Sequence, residues 1–230
     1  MRPGVAGAIL LAAFLFPLSS QAEEDPKLAT WVREAESLAA RQLPVQAVAK
    51  CNEVITACEA QYEDTKEMIF CARTSAESLI YLMGSVVGEE QKKTIVIAPT
   101  WSHAYFIKAY ALQEMGHLPE ARENILRAVA LSPANAQYLC ELGNLQQLEK
   151  NWPAAKETFK KAEADAKLSP PALQPVELGR ARRGYAYCLV EEGNLDGAEK
   201  IYQECLKTDP NDTRAKNELE YVQKLRAKAK

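Results

Sequence analysis

The chain has 230 residues, a formal net charge of −3 and a hydrophobic content of 47%. These values are ordinary for one folded domain, and they argue against a low-complexity or disordered chain. Because acidic residues outnumber basic ones and the basic residues form no block before the C-terminal end, nucleic acid and anionic membrane surfaces are poor candidates as partners.

Residues 1–22 have the features of a secretory signal peptide. Arg2 precedes an apolar stretch over residues 4–18, which is short for a bilayer span, and small residues stand where a signal peptidase reads. We expect cleavage after Ala22, leaving a short acidic segment, 23–27, at the new N-terminus. The expected location is the periplasm, or alternatively the outside of the cell, with no membrane insertion after cleavage.

A spaced pattern of residues recurs further along the chain. Offsets of 0, 5, 9, 12 and 17 hold Gly116, Ala121, Ile125, Ala128 and Pro133, and again Gly193, Ala198, Tyr202, Cys205 and Pro210. Lys150, Ala155, Phe159 and Ala162 fit the first four offsets. With a period of about 34 residues, this self-similarity indicates one small unit stacked on copies of itself.

Each unit of the pattern predicts a helix, a short turn and a second helix. Gly116 and Gly193 stand where the first helix ends, and glycine takes the left-handed conformation there without a steric penalty. Pro119 and Pro153 follow the turn, where proline suits the first position of a helix. The alanines at offset 5 are small, so they allow the two helices to approach closely.

These residues resemble the tetratricopeptide-repeat family, and Leu142-Gly143 matches the family's paired Leu-Gly positions. The resemblance implies an all-α fold, a right-handed superhelical solenoid of helix-turn-helix repeats over 28–230. Its units would be 28–61, 68–101, 102–135, 136–169 and 179–212, with a capping helix over 213–230. Such a helix would cover the last apolar face of the stack.

The second of these units departs from the family pattern. Val87 occupies the position of the small packing residue in unit 68–101. The segment Thr94-Ile95-Val96-Ile97 would by itself suggest a strand, but the repeat frame favours a helix there.

The six cysteines all follow the expected signal peptide, so disulfides are permitted. Cys58 and Cys71 lie equally far from a predicted turn near residues 64–65, one on each arm of a predicted helix pair. They form the best candidate disulfide, the alternative being two separate buried thiols. Because no Cys-x-x-Cys pair is present and His103 and His117 are far apart along one helix, we expect no metal site and no cofactor.

In this family the first helices of successive repeats line a concave groove. The resemblance implies that the following side chains face a peptide ligand: Arg73, Phe106, Tyr110, Gln113, Asn144, Gln147, Arg183 and Tyr187. Tyrosines beside amides and arginines suit a peptide, because the rings supply contact area at low entropy cost. Packing inside the solenoid is the alternative role for Phe106, Tyr110 and Tyr187.

The sequence therefore predicts a protein-interaction module without an enzyme's catalytic residues. We expect an exported adaptor or assembly factor that binds a peptide or protein segment in its groove. The alternative is a structural subunit that packs permanently into an envelope or secreted complex through its convex face.

Overall fold

The computed structural model describes residues 25–87 and 93–228, and this part of the chain is mainly helical. The expected signal peptide lies outside the described residues. In chain order the elements are α1 Pro26–Ala40, α2 Pro44–Gln61, β1 Met68–Cys71, α3 Ser75–Val87, β2 Thr94–Ile97, α4 Thr100–Glu114, α5 Leu118–Leu131, α6 Ala136–Leu148, α7 Trp152–Asp165, α8 Gln174–Glu191, α9 Leu195–Thr208 and α10 Thr213–Lys228. A short 3-10 turn, Ala166–Leu168, separates α7 from α8.

Four helix pairs are each joined by a tight turn with one left-handed residue. Gly116 and Gly193 have φ angles of +79° and +78°, as the pattern predicts. Gln42 and Lys150 occupy the same position in the pairs α1–α2 and α6–α7, with φ angles of +58° and +57°. The conformation is therefore common to all four turns, and glycine fills it in only two of them.

The predicted packing positions form the core of the stack. The alanines at offset 5 and the larger residues at offset 9 all have no exposed surface; they are Ala47, Ala121, Ala155 and Ala198 with Cys51, Ile125, Phe159 and Tyr202. Each alanine admits the neighbouring helix, and each larger side chain fills the space one turn further along. The pairs α1–α2, α4–α5, α6–α7 and α8–α9 therefore stack into one solenoid, and α10 packs against α9.

The expected repeat over 68–101 is wrong. The structure has β1, α3 and β2 there, and the two strands pair in parallel with Met68 opposite Thr94 and Cys71 opposite Ile97. The β-branched run of β2 suits a strand, and the sequence of unit 68–101 has no small residue at the packing position of a repeat. Helix α2 packs directly against α4, so the solenoid continues past this insertion and has four repeats within residues 25–87 and 93–228.

The insertion lies along one edge of the solenoid, where the turns between repeats are. Ser132 donates a hydrogen bond of 2.8 Å to the carbonyl oxygen of Cys71, and the Tyr81 hydroxyl lies 3.2 Å from the amide nitrogen of Ala134. Thr74 donates to the carbonyl oxygen of Leu168 at 2.7 Å. The β1–α3–β2 segment thus connects the first repeat to the ends of the second and third.

Arg73 belongs to this edge contact and not to the groove, so its predicted role in peptide binding is wrong. Its guanidinium pairs with Glu77 at 2.9 Å and with Glu177 at 2.7 Å, and its side chain is only 10% exposed. Ser169 adds a hydrogen bond to Glu177. Arg73 was expected in the groove because unit 68–101 was expected to be a repeat. In the structure Arg73 precedes α3, which is not the first helix of a repeat.

The candidate disulfide is absent from the structure, where Cys58 and Cys71 are free, buried thiols. The geometric reason for pairing them was also wrong, because Cys71 lies on strand β1 and not on a second helix. Burial raises the pKa of Cys58 to about 12 and that of Cys71 to about 11, so both thiols are protonated at neutral pH.

In residues 25–87 and 93–228, no helix is long and apolar enough to cross a membrane.

Candidate protein-binding groove

The first helix of each repeat faces one side of the solenoid. At the ninth position of each repeat, and at the same position of α10, stand Glu36, Tyr110, Asn144, Tyr187 and Tyr221. The three tyrosines are exposed, by 42% at Tyr110, 40% at Tyr187 and 52% at Tyr221. We call the surface formed by α1, α4, α6, α8 and α10 the groove.

The N-terminal half of the groove is filled by its own side chains. His103 on α4 contacts Glu36 on α1 through Nε2 at 2.5 Å, and its Nδ1 lies 3.2 Å from the Tyr138 hydroxyl. Phe106 stacks on His103 and on Tyr138, with ring centroids 5.5 and 5.0 Å apart. The hydrogen bond from His103 holds the pKa of Glu36 below its usual value. Phe106 is therefore half-buried and packs between helices, as the alternative reading allowed.

The C-terminal half of the groove is open and contains a cavity of about 540 Å³. Helices α6, α8 and α10 line it, and Tyr202 of α9 contributes as well. The lining residues are Asn144, Val176, Arg180, Arg183, Gly184, Tyr187, Tyr202, Arg214, Asn217 and Glu218. Three of the predicted groove residues, Asn144, Arg183 and Tyr187, thus meet at one site.

The charges around the cavity are nearly balanced. Arg180 pairs with the buried carboxylate of Glu141, and Arg183 pairs with Asp212. Arg214 is exposed and makes no ion pair within the described residues, but Glu218 also lines the cavity. The cavity therefore presents many N–H donors with little net positive charge.

Two aromatic side chains, Tyr187 and Tyr202, line the cavity. The ring of Tyr187 meets Trp152 of α7 edge-on, with centroids 6.3 Å apart. Partial burial, together with the carboxylates of Glu191 and Glu218, raises the pKa of Tyr187. Tyr202 is fully buried, and its hydroxyl has no hydrogen-bond partner among the described residues. A buried hydroxyl without a partner is unusual, since such groups are normally satisfied.

The remaining predicted residues have different surroundings. Gln147 donates to the carbonyl oxygen of Gly184 at 2.8 Å and lies 3.2 Å from the sulfur of Cys188, so it ties α6 to α8. Gln113 is half-buried, and its Oε1 has no partner among the described residues. Tyr110 is exposed, and its pKa is raised first by a hydrogen bond to Glu114.

Sequence reasoning missed the contribution of α10, which it interpreted only as a cap. Arg214, Asn217 and Tyr221 follow Arg180, Arg183 and Tyr187 by 34 residues each. The 34-residue period was therefore the signal that α10 presents side chains to the groove in the same way as the first helix of a repeat.

Neither a metal site nor a reactive thiol occurs in the described part of the chain. It contains no group of three or more His, Cys, Asp or Glu side chains that could hold a metal ion. Cys140, on α6, is completely buried, and burial raises its pKa to about 12. A thiol with that pKa is a poor nucleophile at neutral pH.

Comparison with known families agrees with this geometry. Two models of the tetratricopeptide repeat match the chain, one over residues 108–170 and one over residues 179–222. The chain contains tetratricopeptide repeats. The second match extends into α10, in keeping with the 34-residue spacing there. No curated protein sequence matches the chain.

Solved structures of tetratricopeptide-repeat type are similar in fold. Pseudomonas aeruginosa pilF has a TM-score of 0.59 at 13% identity, covering 87% of this chain and 69% of its own. MamA from Desulfovibrio magneticus RS-1 has 0.56 at 12%, covering 88% and 87%. The yeast histone chaperone Hif1 has 0.55 at 11%, covering 86% and 92%. At these identities the likeness establishes the all-α repeat fold alone.

Proposed function

We propose that this protein is a non-enzymatic interaction module that binds an extended segment of a partner protein. The binding site is the C-terminal half of the groove, between α6, α8 and α10. The observation that carries the proposal is the open cavity of about 540 Å³ at that place. Its volume falls in the range of ligand-binding cavities. Its lining is mostly polar, and Tyr187 is an exposed aromatic contact within it.

The contrast between the two halves of the groove supports this location. Near α1 and α4, the rings of His103, Phe106 and Tyr138 occupy the space that a ligand would need. Tyr187 and Tyr221 are exposed near α8 and α10, as Tyr110 is near the end of α4, but the cavity lies only beside α6, α8 and α10. Exposed tyrosines give a large contact area at low entropy cost, which is why they are frequent at protein-binding sites.

We further propose that the protein works outside the cytoplasm, as an adaptor or assembly factor in the periplasm. The support is the sequence of residues 1–22, with its apolar stretch and small residues before position 22. Secretion from the cell is the alternative. N-terminal sequencing of the protein recovered from the expressing cells tests this proposal, and an intact Met1 in the cytoplasmic fraction would contradict it.

A structural subunit is the second candidate function, and the outer face of α3 favours it. Leu79, Ile80 and Met83 are all exposed there. No charged residue occurs between positions 78 and 88. Exposed apolar patches of this kind often mark contacts with other proteins. Here the partner would pack on the insertion and leave the groove open.

Affinity capture from an extract of the source cells, read by mass spectrometry, separates the two functions. Tyr187→Ala removes a groove contact, Leu79→Ser with Met83→Ser alters α3, and Leu126→Ala is a control. Leu126 is 42% exposed on α5, outside the groove. Loss of a partner with Tyr187→Ala alone supports the groove. Loss with the α3 variant alone supports the structural subunit, and retention of every partner by both variants rejects both candidates.

A further inference from the structure

Two first helices of the repeats end with the same pair of exposed side chains. Tyr110 is followed four residues later by Glu114, the last residue of α4, and Tyr187 is followed in the same way by Glu191, the last residue of α8. Side chains four residues apart on a helix are neighbours on one face. Each of these tyrosines therefore has a carboxylate beside it, at the C-terminal end of its helix.

The carboxylates of these two pairs have no cation of their own. Within residues 25–87 and 93–228, no basic side chain forms an ion pair with Glu114 or Glu191, although the next residue, Glu192, pairs with Lys156 at 2.6 Å. Both glutamates are exposed. Their negative charge is therefore available to a partner.

The position of the two glutamates does not help the helices that they end. The unpaired carbonyl groups at a helix C-terminus carry partial negative charge, so a cation is favoured there and a carboxylate is disfavoured. Helix stability thus does not explain Glu114 and Glu191. A cation from a partner would be attracted both by the carboxylate and by the helix end.

The arginines that line the cavity do not compensate these glutamates. Arg180 pairs with Glu141, and Arg183 pairs with Asp212. Arg214 lies in the first turn of α10 and forms no ion pair with the glutamates that end α4 and α8. Two of the three positive charges are thus balanced inside the protein, and the carboxylates at the helix ends remain unpaired.

Tyr187 combines an exposed ring with negative surroundings. The residue lines the cavity and is 40% exposed, although its ring also meets Trp152. Partial burial, together with the nearby carboxylates of Glu191 and Glu218, raises the pKa of its hydroxyl. The face of an aromatic ring attracts a cation, and a charged hydrogen bond to a carboxylate adds to that attraction.

We propose that the bound segment of the partner is basic, and that one of its lysine or arginine side chains lies on the ring of Tyr187 and pairs with Glu191. The methylene groups of such a side chain pack on the ring while its charged end reaches the carboxylate. This inference rests on the proposed binding of a protein segment in the groove, and it specifies the charge of that segment.

Fluorescence anisotropy with labelled ten-residue peptides tests the proposal on the full chain. The probes are Lys-Ser, Glu-Ser and Gly-Ser repeats, in about 0.15 M salt so that long-range attraction is screened. We expect only the Lys-Ser peptide to bind, with about a fivefold loss of affinity in Glu191→Gln and about a tenfold loss in Tyr187→Ala. Tyr187→Phe keeps the ring and should retain most of the affinity.

Glu157→Gln is the matched control for the change in net charge. Glu157 lies on α7, outside the groove, and its side chain is 75% exposed. We expect this variant to bind the Lys-Ser peptide as the wild type does, whereas attraction by net charge alone would weaken it as much as Glu191→Gln. Because Tyr187 and Glu191 are exposed, circular dichroism should show that their variants stay folded.

Three results would each overturn the inference. They are equal losses in Glu157→Gln and Glu191→Gln, no binding of the Lys-Ser peptide, and equal or tighter binding of the Glu-Ser peptide. Affinity capture from the source cells separates these results from a failure of the proposed function. A partner lost with Tyr187→Ala but retained by Glu191→Gln leaves the proposed function standing and refutes only the basic segment, whereas a partner retained by both variants contradicts binding in the groove.

Discussion

The ring of Phe159 determines how closely α6 and α8 approach each other. It is fully buried and lies against Gly143 of α6 and Gly184 of α8. A Cβ atom at Gly143 would stand 2.7 Å from the ring carbon Cζ, and one at Gly184 would overlap the ring further. Because the ring is enclosed, an added methyl group must move a helix or force the ring off its rotamer. Overpacking of this kind costs about 1–3 kcal/mol.

We therefore predict that Gly184→Ala lowers the free energy of unfolding. Alanine improves helix propensity by about 0.5–1 kcal/mol over glycine, which offsets part of the overpacking cost. The net loss should be about 1–2 kcal/mol. Gly84→Ala is the matched control, because a Cβ at this position of α3 has nothing within 4 Å. This control should gain about 0.5–1 kcal/mol.

Urea unfolding followed by circular dichroism measures both changes. A double-mutant cycle with Phe159→Leu assigns the cost to the ring, since a smaller side chain should relieve most of the loss caused by Gly184→Ala. If both alanines stabilise the protein equally, or if Phe159→Leu leaves the loss unchanged, the ring does not set the distance between α6 and α8.

Two other predictions concern the insertion and the cysteines. Arg73→Met leaves two buried carboxylates without their cation, which should cost about 3–5 kcal/mol at neutral pH. Burial already raises the pKa of Glu77. Without the guanidinium, the folded state should favour protonation more strongly, so the stability of the variant should recover as the pH falls and decrease as it rises. Urea unfolding at pH 5 and pH 7.5 measures this, and a loss independent of pH would contradict the argument. For the cysteines, Ellman's reagent should react slowly with the native protein and with all six thiols in guanidinium, whereas four thiols after unfolding would indicate a disulfide such as Cys58–Cys71.

The repeats could be predicted from the sequence because their determinants are local and recur. The packing residues that follow Lys150 identified the turn there although it has no glycine. Its backbone has the same left-handed conformation as the turns at Gly116 and Gly193. The buried alanine of each repeat and the larger buried residue four positions later determine where its two helices are in contact. Three instances of the spaced pattern were sufficient to identify these positions. Of the two glycines that make room for Phe159, Gly143 was recognised from the Leu-Gly pair, whereas Gly184 was not recognised from the sequence.

The insertion could not be predicted in the same way, because its contacts are distant in sequence. Arg73 meets Glu177, 104 residues away, and nothing near either residue indicates the pairing. The local signal in Thr94–Ile97 favoured a strand, and the repeat frame was wrongly given precedence. Strong β-branched runs therefore outweigh a repeat frame when the small packing residue is missing, as it is at Val87.

The position of the insertion also affects the groove. Glu177 lies in the first turn of α8, and the ion pair with Arg73 fixes this end of the helix to α3. Arg180 and Arg183 follow within two turns on the same helix, and both line the cavity. The ion pair therefore holds the end of α8 whose next two turns supply two of the cavity's arginines.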